Sequence, residues 1–286
     1  MKKHIQLVII DAQNDFCDLP AAYCPTVQGV GYKPALPVSG AHQDCLRIAR
    51  LINEGGAGIT TIEAFMDTHQ YLDIGHVSFW MDADGQVLTE ASRITLNEIM
   101  EKKCRPRMAG VTEQLIAYFG QLEQAGLDAI YAWPVHCQIG SFGHNMHADI
   151  LAACTGWERQ QLKHVEYIQK GEDPWSEHYS ALQAEVADPD KPSTLLRQAS
   201  IDKYQSADLV LFTGEASSHC VSKTLLDAVN NLGIECREKL VVLTDCMSAI
   251  PGYEAKTREI FNEMAAMGLR MTTSEAILPE LMANTQ

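Results

Sequence analysis

The chain has 286 residues, and 46% of them are hydrophobic, so it can bury the core of one or two domains. Its 22 basic and 37 acidic residues give a formal net charge of −15, which argues against nucleic acid and anionic membranes as partners, because both bind positively charged surfaces. The nine cysteines are scattered without a C-x-x-C pair, and no apolar run is long enough for a signal segment or a membrane span. We therefore expect a cytoplasmic protein with reduced thiols.

The first predicted strand covers residues 5–10 and is followed at once by Asp11. A carboxylate that closes a buried parallel strand lies at the edge where open α/β sheets bind ligands, although an Asp here could also form a turn or cap a helix. Residues 17–40 contain four prolines and are predicted to form a long irregular loop. Loops of this length usually line a site or an interface. A helix is predicted over residues 42–54.

The second predicted strand covers residues 58–65, and Asp67 and His69 follow it. Side chains two apart in an extended chain point the same way, so these two could reach one metal ion. A D-x-H pair alone is a weak signal. His76 lies in the next loop, and residues 82–110 are predicted to be irregular apart from one short helix.

The third predicted strand covers residues 128–132 and follows an amphipathic helix over residues 111–124. Pro134 cannot donate to a strand ladder and restricts the residue before it to extended geometry. We therefore expect Pro134 to present His136 from a rigid turn.

A helix is predicted next over residues 143–154, with His144 and His147 near its start, and we expect both rings to be solvated. The fourth predicted strand covers residues 165–169 and ends at Lys170. A lysine that faces a cleft at this edge has a perturbed pKa, whereas an ordinary surface lysine does not.

The next strand begins at Leu209 and breaks at Gly214, and apolar residues recur at helical spacing after Cys220. A cysteine between a strand and a helix N-terminus meets unpaired N–H groups and the positive end of a helix dipole, and both favour the thiolate. The alternative is a small buried cysteine that packs the junction.

The remaining elements continue the alternation of strands and helices. They are a helix over residues 193–204, a sixth strand over 240–244, a helix over 253–267 and a last short element over 271–281. Alternation throughout the chain predicts an α/β fold with a doubly wound, mostly parallel six-stranded sheet, helices on both faces and right-handed crossovers.

Seven segments in this order resemble the isochorismatase-like cysteine hydrolase superfamily, and more closely its nicotinamidase branch. The matching segments are residues 8–16, 35–41, 67–69, 76–79, 133–137, 170–171 with 179–181, and 214–221. The resemblance implies one isochorismatase-like domain over residues 1–286, with strand order 3-2-1-4-5-6 and insertions near residues 17–35 and 82–130.

The resemblance also implies a catalytic triad, which falls here on Asp11, Lys170 and Cys220. It implies an oxyanion hole formed by the N–H groups of Ala216 and Cys220, with a cis peptide bond between Glu215 and Ala216. In such enzymes the cysteine attacks a carboxamide carbon and forms a thioester, which water then hydrolyses.

The same resemblance implies one divalent metal ion held by Asp67, His69 and His136, with His76 as a further ligand. Zinc is the first choice, and iron and manganese are alternatives, because a mixed nitrogen and oxygen ligand set suits all three. The substrate pocket implied by the resemblance is lined by Phe16, Trp133 and Tyr179.

The function implied is a metal-dependent nicotinamidase, which converts nicotinamide and water to nicotinic acid and ammonia. Residues 217–219 and 140–145 depart from the nicotinamidase pattern, so another small amide or ureide is the alternative substrate, and a non-hydrolytic interaction module is the alternative class. We expect a small-molecule amide and a second copy of the chain as partners, with no nucleic acid and no membrane.

Overall fold

A computed structural model describes residues 2–127 and 129–285 of the chain. The strands in these residues are β1 Ile5–Ile10, β2 Thr26–Val27, β3 Val30–Gly31, β4 Thr61–Asp67, β5 Trp80–Asp82, β6 Ser92–Ile94, β7 Cys104–Pro106, β8 Ile130–Ala132, β9 Glu166–Lys170, β10 Leu209–Gly214, β11 Leu240–Leu243 and β12 Arg270–Thr272. The α-helices are α1 Ala41–Gly55, α2 Leu96–Met100, α3 Thr112–Gln124, α4 Ala148–Gln161, α5 Gln198–Ser206, α6 Ser222–Asn231, α7 Glu254–Ala266 and α8 Ser274–Ala283. Within the described ranges, no helix combines the length and the apolar content that crossing a bilayer requires.

Six strands form one parallel sheet in the order β12-β11-β10-β1-β4-β9. Numbered along the chain and read from the opposite edge, this order is 3-2-1-4-5-6, as the resemblance implied. The strands β4 and β9 lie on one side of β1, and β10, β11 and β12, which come later in the chain, lie on the other side. The strand order therefore switches between β1 and β10, and the crevice beyond the carboxyl ends of these two strands is the expected ligand site. Every residue of β1 is buried, which is typical of a central strand covered by helices on both faces.

The identity of the third strand in the sheet differs from the prediction made for residues 128–132. The predicted first residue, Asp128, lies outside the described residues, and β8 pairs antiparallel with β6 in a separate two-stranded sheet. Counted along the chain, the third strand of the main sheet is β9, the fourth is β10 and the sixth is β12. Strand β12 comes from the element predicted over residues 271–281. An apolar run predicts a strand but does not specify its pairing partner, and this is why the assignment was wrong.

The two histidines expected in solvent are buried. Helix α4 begins later than predicted, and His147 is its N-cap residue. Its Nε2 atom lies 2.9 Å from Nδ1 of His42, while Nε2 of His144 lies 3.0 Å from Oγ1 of Thr68. Both rings therefore serve packing between elements, and the expectation that they are solvated was wrong.

The core is divided by the sheet into two layers. Alternate side chains of β1 point to opposite faces, so Ile5, Leu7 and Ile9 pack with α1, α4 and α8, whereas Val8 and Ile10 pack with α5, α6 and α7. A third apolar cluster is built from residues 74–132 and includes α3 and β8. The predicted insertion at residues 82–130 is thus largely structured, with strands, helices and a small core of its own.

We predict that Gly214→Ala destabilises the protein by about 3 kcal/mol or more, because Gly214 has φ 112° and an added Cβ would lie 1.9 Å from the carbonyl oxygen of Ile10. The matched control is Gly156→Ala inside α4, where no heavy atom from outside the helix lies within 4 Å of an added Cβ. That change should stabilise by up to about 1 kcal/mol. Urea denaturation of the three proteins measures both effects, and equal midpoints would contradict the prediction.

Candidate active site

The three residues of the predicted triad meet at the carboxyl edge of the sheet. Asp11 follows β1, Lys170 ends β9, and Cys220 lies in the π-helical turn Ser217–Val221 between β10 and α6. Nζ of Lys170 lies 3.0 Å from Oδ2 of Asp11 and 3.7 Å from Sγ of Cys220. The Asp11 carboxylate is also near enough to Cys220 to raise the pKa of its thiol. All three side chains are buried, so their polar atoms are shielded from water.

The lysine is held in its charged form by two carboxylates. Nζ of Lys170 lies 2.8 Å from Oδ1 of Asp67, in addition to its contact with Asp11. Burial alone would lower the pKa of Lys170, but the two carboxylates together raise it well above its usual range. Burial raises the pKa of Asp11 to about 7, against the attraction of Lys170. Asp11 is therefore able to exchange a proton near neutral pH.

The expectation that Cys220 rests as a thiolate was wrong. Burial raises the pKa of its thiol well above the usual value, and the lowering effect of Lys170 does not compensate, because Asp11 and Asp67 add to the increase. The resting cysteine is therefore a thiol with a carboxylate base in contact with it. Loss of hydration is the largest cause of this increase.

The turn that carries Cys220 is fastened to a neighbouring loop. The peptide bond between Glu215 and Ala216 is cis, as the resemblance implied. The N–H of Ser217 donates to the carbonyl oxygen of Ser248 (2.8 Å), and the N–H of Ser248 donates to Oε2 of Glu215 (3.1 Å). Oγ of Ser248 donates in turn to Oδ2 of Asp44 on α1 (2.5 Å). No sequence motif indicates these anchors, since Asp44 and Ser248 are far from the turn in the chain.

A cluster of histidines lies beside the triad. The side chains of His69, His76 and His136 are buried and bring one ring nitrogen each within 4.8 Å of the others. Oδ2 of Asp67 lies 3.1 Å from Nε2 of His69 and 3.4 Å from Nε2 of His136. The four residues named from the sequence as metal ligands are thus brought together, and Asp67 connects them to Lys170.

Outer contacts orient the histidine rings. Nδ1 of His69 lies 2.9 Å from Oδ2 of Asp73, and Nδ1 of His136 lies 2.8 Å from the carbonyl oxygen of Pro134. A carbonyl oxygen only accepts, so Nδ1 of His136 carries the hydrogen and Nε2 keeps its lone pair towards Asp67. Nδ1 of His76 is buried without a hydrogen-bond partner among the described residues. Such outer contacts and free nitrogens are typical of metal-binding histidines, and this donor set fits zinc, iron or manganese.

A cleft opens above the triad and the histidines. The predicted pocket residues line it: the ring of Phe16 packs on His136 at 5.3 Å between centroids, and Nε1 of Trp133 lies 3.4 Å from the hydroxyl of Tyr179. Six further residues that line the cleft were not predicted from the sequence, and only His219, next to Cys220, had a positional signal. These residues are Leu36, Gly75, Glu177, His178, His219 and Ile250.

Comparison with known proteins finds similarity in structure. No family model matches the sequence, and no curated protein matches it. A nicotinamidase/pyrazinamidase from Acinetobacter baumanii superposes with a TM-score of 0.60 at 19% identity, over 96% of this chain and 99% of that one. The yeast nicotinamidase gives a TM-score of 0.57 at 19% identity over 94% and 99% of the two chains. A zinc-bound pyrazinamidase from Pyrococcus horikoshii gives 0.52 at 18% identity over 94% and 99%. The chain therefore has the isochorismatase-like α/β fold.

Proposed function

We propose that the protein is a metal-dependent cysteine amidohydrolase that acts on a small carboxamide, with nicotinamide as the first candidate substrate. The observation that carries this proposal is the buried contact of Lys170 with both Asp11 and Cys220 beneath the cleft. The fold supports it, because solved structures with the same fold include nicotinamidases and pyrazinamidases.

The proposed reaction uses the triad in two stages. Asp11 takes the thiol proton while Sγ of Cys220 attacks the carbonyl carbon, and Lys170 stabilises the negative charge that develops. The N–H groups of Ala216 and Cys220 hold the oxyanion. The C–N bond then breaks, Asp11 returns the proton to the leaving amine, and ammonia departs from a Cys220 thioester. Asp11 next takes a proton from water, which attacks the thioester and releases the acid and the thiol.

One divalent ion held by Asp67, His69 and His136, with His76 as a further ligand, completes the proposed site. Zinc is the first choice, supported by the zinc complex of the similar pyrazinamidase, and iron and manganese are alternatives. When bound, such an ion supplies Lewis-acid chemistry and a fixed positive charge.

Three aromatic residues and the triad support one alternative over the others. Phe16, Trp133 and Tyr179 would pack against a planar ring in the cleft, which favours an aromatic amide over an aliphatic ureide. A non-hydrolytic interaction module is less well supported, because such proteins usually lose a triad residue. Assembly into a homo-oligomer stays a prediction.

We predict that Cys220→Ala lowers ammonia release from nicotinamide by about a thousandfold or more, because the thioester cannot form. The matched control is Cys236→Ala, which truncates another buried cysteine outside the cleft and should keep the wild-type rate. Ammonia released by each purified protein is measured alongside its melting temperature. Near-normal turnover by a folded Cys220→Ala protein would show that the nucleophile has been assigned wrongly.

We predict that kcat/KM for the amide rises with pH through about 7, because the carboxyl of Asp11, whose pKa is raised to about 7, must be ionised to accept the thiol proton. The pKa of Lys170 is raised above its usual range, so deprotonation of this residue should cause no loss of activity near neutrality. Asp11→Asn should lower the rate by orders of magnitude and flatten the rising limb. A wild-type profile that is flat through this region would argue against Asp11 as the base.

We predict that the purified protein, never exposed to chelator, contains about one transition-metal ion per chain, and that His136→Ala removes it. The control is His164→Ala, which changes an exposed histidine far from the cluster and should leave the metal content unchanged. Elemental analysis of the three proteins measures this directly. A metal-free wild-type protein would contradict both the metal site and the metal-dependent reaction.

A further inference from the structure

The side chain of Gln13 is hydrogen-bonded to the backbone of Asp67. Gln13 follows Asp11 by two residues and is completely buried. Its Oε1 atom accepts a hydrogen bond from the N–H of Asp67 (2.7 Å), and its Nε2 atom donates to the carbonyl oxygen of the same residue (2.8 Å). Nε2 also donates to the carbonyl oxygen of His144 (2.9 Å). Because an N–H only donates and a carbonyl oxygen only accepts, these partners fix the orientation of the amide.

These bonds take the place of strand pairing that β1 no longer provides. Beside β4, the N–H of Asp11 donates to the carbonyl oxygen of Phe65 (3.0 Å). The chain then turns away, since Asp11 has a left-handed φ of 49°. Residues two apart in a strand direct their N–H and C=O groups to the same side, so those of Asp67 face the side that β1 has left. The amide of Gln13 bonds both groups, as the backbone of a neighbouring strand would.

Asp67 is the residue that joins the triad to the histidine cluster. Its Oδ1 atom lies 2.8 Å from Nζ of Lys170, and its Oδ2 atom lies 3.1 Å from Nε2 of His69 and 3.4 Å from Nε2 of His136. Asp67 is also the last residue of β4, so no further residue of that strand restrains it. A rotation of its backbone would change all three distances, and the bonds from Gln13 oppose that rotation.

We propose that Gln13 is a positioning residue, which fixes the backbone of Asp67 and thereby the carboxylate that Lys170 and the two histidines contact. This inference rests on the proposed amidase function. Gln13 is not among the described residues that line the cleft, so its effect on the reaction passes through Asp67. Without the amide, the buried N–H and C=O groups of Asp67 lose their partners unless the end of β4 shifts.

The first test replaces the amide with an apolar side chain of similar size. Gln13→Leu removes all three hydrogen bonds, so the end of β4 is free to move. We expect kcat for ammonia release from nicotinamide to fall by roughly tenfold to a hundredfold, with KM changed by less than about threefold. Release of zinc from the zinc-loaded protein to an excess of a coloured chelator should become roughly tenfold faster or more.

The matched control is Gln6→Leu. Gln6 is also completely buried and lies in β1, but its Nε2 atom donates to Oε2 of Glu63 (2.7 Å), four residues before Asp67 in β4. This variant removes a buried glutamine amide that bonds to the same strand and does not touch Asp67. It should keep kcat and the rate of zinc release within about threefold of wild type. Melting temperatures show whether each variant is folded.

A second variant disturbs the same contact more gently. Gln13→Asn keeps an amide in the same polar surroundings, but its side chain is one methylene shorter and cannot bond both backbone groups of Asp67 at once. We expect changes in kcat and zinc release in the same direction as for Gln13→Leu, by at least about threefold. If Gln13→Leu does not fold, this variant decides.

A folded Gln13→Leu protein whose kcat and rate of zinc release stay within about threefold of wild type overturns the inference while leaving the amidase function intact. An equal loss in Gln6→Leu overturns it as well, because the effect would then be general to buried glutamines of β1. A wild-type protein that releases no ammonia overturns the proposed function instead. The rates of zinc release then decide by themselves whether Gln13 positions Asp67.

Discussion

The site depends on one buried ammonium group between two carboxylates. Burying the charge of Lys170 without partners would be far too costly, and Asp11 and Asp67, at 3.0 and 2.8 Å, offset that cost. Because Asp11 also lies beside Cys220 and Asp67 also contacts the histidines, the lysine joins Asp11 and Cys220 to the histidine cluster. Loss of this one group would leave two buried carboxylates facing each other without a counter-charge.

The register of the sheet produces this arrangement. Asp67 and Lys170 are paired residues of the adjacent parallel strands β4 and β9, so their side chains leave the same face side by side. A shift of one residue in this register would turn Lys170 to the opposite face and separate it from both carboxylates. Since β1 lies between β4 and β10, Asp11 and the turn with Cys220 reach the same edge from the centre of the sheet. The reactive groups thus converge because parallel strands end together.

The histidine cluster is assembled differently, from loops outside the sheet. His76 and Trp133 form an isolated β-bridge, and so do His69 and Gln138. These two bridges hold together the loops that precede and follow residues 77–132, next to β4. These residues pack around their own apolar cluster, which fixes where His76 and His136 emerge. The insertion therefore fixes the positions of the loops that carry these two histidines.

The chain itself determined the alternation of strands and helices, and the residue types at each strand end. That Asp11, Asp67 and Lys170 lie at strand ends is a local pattern, and the family resemblance then implied that they form a site with Cys220. Only the tertiary structure decided that β8 pairs outside the main sheet, that His144 and His147 are buried and that Cys220 rests as a thiol. Each of these depends on contacts between residues distant in sequence: strand pairing, burial and the sum of charges around a group are set by the folded neighbours, and no local pattern encodes them.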